Sequence, residues 1–211
     1  MKNYIFLGPP GSGKGTQAKI LAEKSGAFYF GAGDLMRKEA ELGTEYGKKF
    51  KEIWDKGEGL LVPEEISDGF LEAKLREIQG KQVIFDGFPR TIKQAEMLGK
   101  YFPYENIEVI NILLDDDELM LRATTRRVCK KCQKIFFRAD LSGITKCDAC
   151  GGDLIQRQED TPEVVKKRIE VYNNETKPLI DYFEEKGNLI NIDGAPPILE
   201  VTREINTKIN G

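Results

Sequence analysis

The feature that most limits the possible folds is a hydrophobic run, Tyr4-Ile5-Phe6-Leu7, that passes straight into Gly8-Pro9-Pro10-Gly11-Ser12-Gly13-Lys14-Gly15-Thr16. A short apolar run stopped by glycine reads as a buried strand, and the residues after the loop suit a helix over about 14–25. Strand, glycine loop, lysine and helix in that order make a phosphate-binding loop. Its backbone N–H groups curl round phosphate oxygens, which approach the main chain too closely for side chains to fit between. The helix N-terminus adds partial positive charge, and Lys14 reaches the outer phosphates. Gly8, Gly13 and Lys14 meet the pattern G-x-x-x-x-G-K-[ST]. Gly15 takes the Ser/Thr place, and Thr16 follows one residue later.

The 211 residues include no histidine. Ser-His-Asp and Cys-His nucleophilic catalysis, imidazole bases and His-containing metal sites are therefore excluded. Chemistry must run on Lys, Arg, carboxylates, hydroxyls and bound ions. Phosphoryl transfer fits, because it depends on positioning and charge neutralisation more than on a basic side chain. The net charge of −3 gives no general attraction to nucleic acid or an anionic membrane. No apolar run approaches the ~20 residues of a membrane span. The N-terminal run stops at Leu7 and enters Gly-Pro-Pro, which does not read as a signal peptide, so a cytoplasmic location is expected.

Further along, residues 27–30 read as a second strand ending in Gly31-Ala32-Gly33-Asp34. Asp34 is expected to cap a helix running to about Leu42, with Arg37 on its charged side. Gly43-Thr44 stops that helix and caps the next, over about 45–56. Gly57-Glu58-Gly59 breaks the chain, and Pro63 suits the first turn of a helix to about 79. Residues 31–61 thus form a Gly-punctuated helical excursion able to move as a flap. Gln82-Val83-Ile84-Phe85 is a third strand, closed by Asp86-Gly87-Phe88-Pro89-Arg90. Beside a phosphate loop, an acid at the end of an apolar strand is the expected partner of Mg²⁺, through water. Gln94 lies one turn into the next helix, over about 91–100, on the side of the segment that carries Arg90. A fourth strand over 106–114 runs into Asp115-Asp116-Asp117, which reads as strand exit and helix cap more than as a metal cluster. The helix that follows carries Arg122 and ends at Arg126-Arg127.

Cys129 and Cys132, then Cys147 and Cys150, are two C-x-x-C pairs separated by fourteen residues. That is what a tetrahedral Zn²⁺ site with four thiolates requires, although the spacer is one residue short of the usual range. Two disulfides are disfavoured in a cytoplasmic chain, and a redox motif needs only one pair. Four protein ligands leave no open position, so the metal is expected to fold the segment and not to catalyse. Arg157 precedes a helix opened by Thr161-Pro162, Arg168 lies two turns in, and Pro178 is expected to kink or end it. A fifth strand over 189–193 and a helix over about 197–208 close the chain. The alternation predicts an α/β fold, a five-stranded parallel sheet of P-loop NTPase type flanked by helices. Excursions leave it at 31–61 and 123–160, and ligands belong at the carboxyl ends of the strands between them.

Taken together, Gly8-Pro-Pro-Gly-Ser-Gly-Lys-Gly-Thr16, Gly33-Asp34-Leu-Met-Arg37, Asp86-Gly-Phe-Pro-Arg90-Thr-Ile-Lys-Gln94 and Arg126-Arg127-Val-Cys129 resemble the adenylate kinases of the long-lid, zinc-containing kind. The similarity covers essentially the whole chain. It implies reversible transfer of the γ-phosphoryl group of MgATP to AMP, giving two ADP, by a monomer. It also implies a core of 1–30, 62–122 and 161–211, an NMP-binding domain of 31–61 and a zinc-binding lid of 123–160. By this resemblance Gly11, Ser12, Gly13, Lys14, Gly15 and Thr16 hold the ATP phosphates, Arg122 stacks on its adenine, and Asp86 supports Mg²⁺ through water. Arg37 and Arg90 clamp the AMP phosphate, while Ala32, Leu60, Leu61, Val62, Gly87 and Gln94 surround the nucleoside, Gln94 reading adenine. Arg126, Arg157 and Arg168 converge with Lys14 and Arg90 on the transferring phosphoryl group as the lid shuts, Arg157 and Arg168 also meeting AMP.

The pattern departs from the family at two places. Adenylate kinases usually carry Thr or Ser at the position of Ala32, and Ala there is more like UMP/CMP kinases, which makes a UMP/CMP kinase the nearest alternative. The turn Gly57-Glu-Gly-Leu-Leu-Val-Pro63 is longer than the family's Gly-x-Leu-Val-Pro. A reading of another class is a P-loop switch whose zinc ribbon binds nucleic acid. From Cys129 to Cys150 there are five Lys/Arg against two Asp, with Phe136 and Phe137 available to stack on bases. The acidic balance of the whole chain speaks against a nucleic-acid partner.

Overall fold

A computed structural model describes residues 2–56, 62–137 and 143–210. Strand β1 (Asn3–Leu7) is buried throughout and feeds the loop that opens α1 (Lys14–Ser25). Next come β2 (Phe28–Gly31), α2 (Ala32–Leu42), α3 (Glu45–Asp55) and α4 (Glu64–Glu77). Then follow β3 (Val83–Asp86), α5 (Ile92–Gly99), β4 (Ile107–Leu113) and α6 (Asp116–Thr125). Three short strands, β5 (Arg127–Cys129), β6 (Ile135–Phe136) and β7 (Leu154–Ile155), precede a 3₁₀ turn, Gln158–Asp160. The chain ends in α7 (Pro162–Val171), α8 (Pro178–Glu184), β8 (Leu189–Asp193) and α9 (Ile198–Asn210).

The main sheet is parallel, in the order β2-β3-β1-β4-β8. Successive side chains of a strand face opposite ways, so β1 feeds two cores. Ile5 and Leu7 pack with Phe30, Phe85, Leu98 and Phe183 on one face; Tyr4 and Phe6 pack with Ala18, Leu21, Val201 and Ile205 on the other. Helices α1 and α9 cover the second face, and α4, α5 and α8 the first. Each fully buried side chain of this kind contributes about 1.5–3 kcal/mol. The chain leaves β1 toward one face and β3 toward the other, so a crevice opens between their carboxyl ends. Phe6 pairs with Asp86 there, which sets that carboxylate beside the glycine loop.

The predicted five-stranded α/β architecture is present, and local capping agrees with it. Thr44 accepts a hydrogen bond from Gly47 N at 3.0 Å, and Asp115 accepts one from Glu118 N at 2.9 Å. Three features differ from the sequence reading. Helix α2 starts at Ala32, before Asp34, because the Asp34 carboxylate is taken by Lys19 at 2.9 Å and Arg37 at 2.5 Å and not by backbone N–H groups. The break expected at Pro178 begins upstream, as a π-helical turn over Tyr172–Thr176 with Lys177 N donating to Tyr172 O at 2.8 Å. Proline has no N–H to offer the carbonyl four residues back, and the wider turn absorbs the mismatch. The strands β5, β6 and β7, in the order β6-β5-β7, form an antiparallel sheet too short to show as periodicity. The break at Gly57 to Gly59, and with it Leu60 and Leu61, lies outside the described residues.

Candidate active site

The loop after β1 is shaped by its glycines. Gly8 has φ 143° and Gly11 φ 90°, and a Cβ would stand 2.8 Å from Ile112 O at the first and 2.8 Å from Leu119 O at the second. Only glycine meets both the conformation and the crowding. Ser12 N donates to Pro9 O at 3.2 Å and Thr16 N to Gly13 O at 3.0 Å, which curls the loop over the start of α1. Lys14 Nζ donates to Pro9 O at 3.3 Å and so stays over the loop. Gly15 also has a reason to be glycine: a Cβ would lie 2.8 Å from Asp86 Oδ2. The residue type that departs from the general motif is the one that lets the β3 carboxylate against the first turn of α1.

Tyr29 was not anticipated. Its hydroxyl donates to Asp86 Oδ2 at 2.8 Å, and Lys19 Nζ stands 5.3 Å above its ring. The ring occupies space that a Cβ at Gly31 would enter, 2.7 Å from the hydroxyl oxygen. Burial, with Asp86 adding to it, pushes the Tyr29 phenol well above its usual range, so it remains a donor.

Lys19 and six further cations gather around this carboxylate. A cavity of about 130 Å³ is lined by Lys14, Arg37, Arg90, Arg126, Arg157 and Arg168, together with Gly11, Gly13, Gly15, Thr16 and Asp86. A larger cavity of about 750 Å³ adjoins it, walled by Ala32, Trp54, Val62, Ser67, Gly87 and Gln94 among others. The two share Arg37, Arg90, Arg157 and Arg168. Burial lowers the Lys14 ammonium to about 8, with Arg90, Arg168 and Arg126 adding to the effect against Asp86. Burial first, then neighbouring arginines, lowers Arg157 and Arg168 to about 10 each. The cleft therefore holds more positive charge than its own acids neutralise.

Two acids missed by sequence reading hold these arginines. The Asp160 carboxylate is fully buried and bound by Arg126 through two nitrogens, Nε at 2.9 Å, with Arg168 at 3.9 Å. Glu159 lies 3.6 Å from Arg37 and 4.0 Å from Arg157. Burial opposes ionisation of Glu159, but its own backbone N–H and Arg168, Arg157 and Arg37 keep its carboxyl below the usual value. The adjacent pair Glu159-Asp160, set between Arg157 and a helix start, was the signal available.

On the wall of the larger cavity, Gln94 is only 4% exposed. Its Oε1 accepts from Arg90 N at 2.9 Å, and its Nε2 donates to Asp68 Oδ1 at 3.0 Å. Arg90 Nε donates to Gly87 O at 2.9 Å. Arg122 lies outside both cavities. Glu118 fixes its guanidinium at 2.6 Å, and the carbonyls of Gly194 and Ala195 fix it at 2.8 and 3.0 Å.

The four cysteine sulfurs, predicted as metal ligands, lie within 4.8 Å of one another. Cys129 and Cys150 Sγ are 3.4 Å apart, and Cys132 and Cys147 Sγ 3.5 Å. A tetrahedral Zn²⁺ with Zn–S bonds of about 2.3 Å needs edges of about 3.8 Å, so the group fits a metal with small adjustments. All four thiols are free, and N–H groups of Lys131 and Cys132 each donate to Cys129 Sγ at 3.4 Å. Among the described residues no helix is long and apolar enough to cross a membrane.

Comparison with known proteins adds two kinds of likeness. The sequence model of the adenylate kinase family matches residues 6–188. An adenylate kinase of Archaeoglobus fulgidus is 44% identical over 209 residues, covering 96% of this chain and 95% of that protein. Adenylate kinases of Alkaliphilus oremlandii and Borreliella burgdorferi are 43% and 41% identical, each with at least 95% of both chains covered.

Proposed function

The chain belongs to the adenylate kinase family, and from that premise we propose how its residues share the reaction. The activity is reversible transfer of the terminal phosphoryl group of MgATP to AMP, giving two ADP. Neither a UMP/CMP kinase nor a nucleic-acid switch is favoured by these relatives.

One observation carries the assignment of roles: the two cavities meet at the same four arginines. In our reading the ATP phosphates lie along the amides of Gly11 to Thr16 under Lys14, with Arg122 beside the adenine. AMP occupies the larger cavity, its phosphate on Arg37 and Arg90 and its base against Ala32, Val62 and Gln94. The two phosphate chains then face each other across Arg126, Arg157 and Arg168. The attacking group is a phosphate oxygen, already anionic, so no base is required. What the site supplies is charge compensation, which for arginines in phosphoryl transfer is worth ~10³–10⁵ in rate. Incoming phosphates replace Glu159 as a partner of Arg37 and Arg157, while Asp160 keeps its hold on Arg126. Mg²⁺ arriving with ATP would neutralise charge on its phosphates, and Asp86, oriented by Tyr29, is the group placed to hold it.

Residues 31–61 and 123–160 are in this reading the NMP-binding domain and the lid, on a core of 1–30, 62–122 and 161–211. Closure excludes water, which would otherwise accept the phosphoryl group. Zn²⁺ on Cys129, Cys132, Cys147 and Cys150 would make the lid a rigid unit. The free thiols suit a reducing cytoplasm, and we expect a monomer there. A coupled assay with MgATP and AMP, GMP, CMP or UMP, beside a control without acceptor, tests the whole reading. Fast ADP formation with AMP and little hydrolysis in the control is the expected result. Equal ATP consumption without acceptor would defeat the closing-lid account.

A further inference from the structure

A glutamine amide can meet a base in two orientations, related by a flip that exchanges oxygen and nitrogen. For Gln94 the choice is made by two neighbours that cannot change sides. The Arg90 backbone N–H can only donate, and it lies 2.9 Å from Oε1. The Asp68 carboxylate on α4 accepts from Nε2 at 3.0 Å. Lys93 Nζ donates to the other Asp68 oxygen at 2.9 Å and keeps the carboxylate turned toward Gln94. A flip would set N–H against N–H at one end and carbonyl against carboxylate at the other.

These bonds leave Oε1 one lone pair and Nε2 one N–H. The edge still on offer is an acceptor beside a donor, in one fixed order. Adenine answers it with its 6-amino donor beside the ring N1 acceptor. Hypoxanthine and guanine carry a 6-oxo acceptor beside an N1–H donor, the reverse order. Cytosine shares the order of adenine, and uracil that of the 6-oxo purines. A monophosphate anchored at Arg37 and Arg90 cannot turn its base over to compensate. We propose that Asp68 is a positioning residue that locks the Gln94 amide in the order that accepts a 6-amino base and refuses a 6-oxo one. The proposal rests on the reading of Gln94 as the base contact. It also supplies discrimination where Ala32 brings no hydroxyl.

The test compares AMP with IMP, which differs at the reading edge without the extra 2-amino group of GMP. In the wild type, kcat/KM for AMP should exceed that for IMP by about a hundredfold or more, since a polar site left mismatched rejects strongly. Asp68→Asn, which can donate or accept, should raise the IMP:AMP ratio about tenfold, the scale of one hydrogen bond to a charged group. The change should appear in KM for IMP, with kcat for AMP little altered. A merely structural role would lower both acceptors together and leave the ratio fixed. The single tryptophan, Trp54, lines the same cavity, so its fluorescence gives the ratio of Kd values independently of turnover. If Gln94→Ala abolishes the preference for AMP but Asp68→Asn leaves the ratio unchanged, the lock is wrong and the base contact stands. If Gln94→Ala leaves both KM for AMP and the ratio unchanged, the base contact is wrong and the lock falls with it. A wild type that uses IMP as well as AMP overturns the lock without any variant.

Discussion

The five-stranded sheet and the three-stranded sheet are held together by different physics. The first buries large apolar side chains on both faces, among them Phe6, Phe30, Phe85 and Phe183. The second has a core of Cys129, Phe136 and Cys147, with Cys150 and Leu154 packed against it. So little apolar surface cannot offset the entropy of ordering a segment. In the proposed reading, bonds between four thiolates and a metal supply the stability that this small core does not. The join between the two regions includes an ion pair, Arg126 at the end of α6 with Asp160 in the turn before α7, and Gln156 Nε2 donating to Thr124 O at 3.0 Å.

Metal withdrawal should give the largest effect. Structural zinc sites hold about 10 kcal/mol or more of apparent folding energy. Chelation should remove amide-exchange protection from β5, β6 and β7 while β1 and β3 keep theirs, and should lower Tm more than it harms turnover in the cold. Unchanged protection in metal-free protein would show that the small sheet stands on its own. In the larger sheet, Phe85→Ala should cost about 3–5 kcal/mol in denaturant titration. That loss should spread through the chain, with zinc content unaltered. At the join, Asp160→Ala leaves Arg126 buried without its partner and should cost of similar order, about 3–5 kcal/mol; stability within 1 kcal/mol of wild type by this substitution, roughly the worth of a surface pair, would sink the claim of a buried join.

The next effect is a proton linkage on the phosphate loop. The folded Lys14 titrates at about 8, below its ordinary 10.5. Between those values the unfolded chain holds a proton that the folded chain lacks, so the contribution of this group to stability grows as pH rises through that window and is lost as pH falls through 8. Bound phosphates favour the charged form. Nucleotide binding above pH 8 should therefore take up a proton, seen as binding heats that change with buffer ionisation enthalpy. Equal heats in all buffers at pH 9 would rule this out. Smallest is Tyr29→Phe, which removes one hydrogen bond from Asp86 and should cost about 0.5–1.5 kcal/mol, read as a higher Mg²⁺ requirement at unchanged KM for AMP.

Local chemistry was readable along the chain. The glycine loop, Asp86 at the end of its strand, the cysteine pairs and the caps Thr44 and Asp115 each show in a few consecutive residues. What escaped depends on pairing between distant segments. Tyr29 reaches Asp86 only because β2 lies beside β3, with Gly31 opposite Asp86. Asp68 meets Gln94 only once α4 packs on α5. Asp160 reads as an ordinary acid until its complete burial against Arg126 is seen. The π turn responds to a proline that lies beyond it.

The Glu159 carboxylate, set among the arginines, also bears on entry to the cleft. In the proposed reading Glu159 is a built-in counterion of Arg37 and Arg157, so a guest must carry more charge per contact than the acid it evicts. Chloride, with a single charge, gains nothing by the exchange. A terminal phosphate near neutral pH, with a charge of about −2, does gain. On that reading the cleft would be a threshold detector for polyanions that simple salt does not trip.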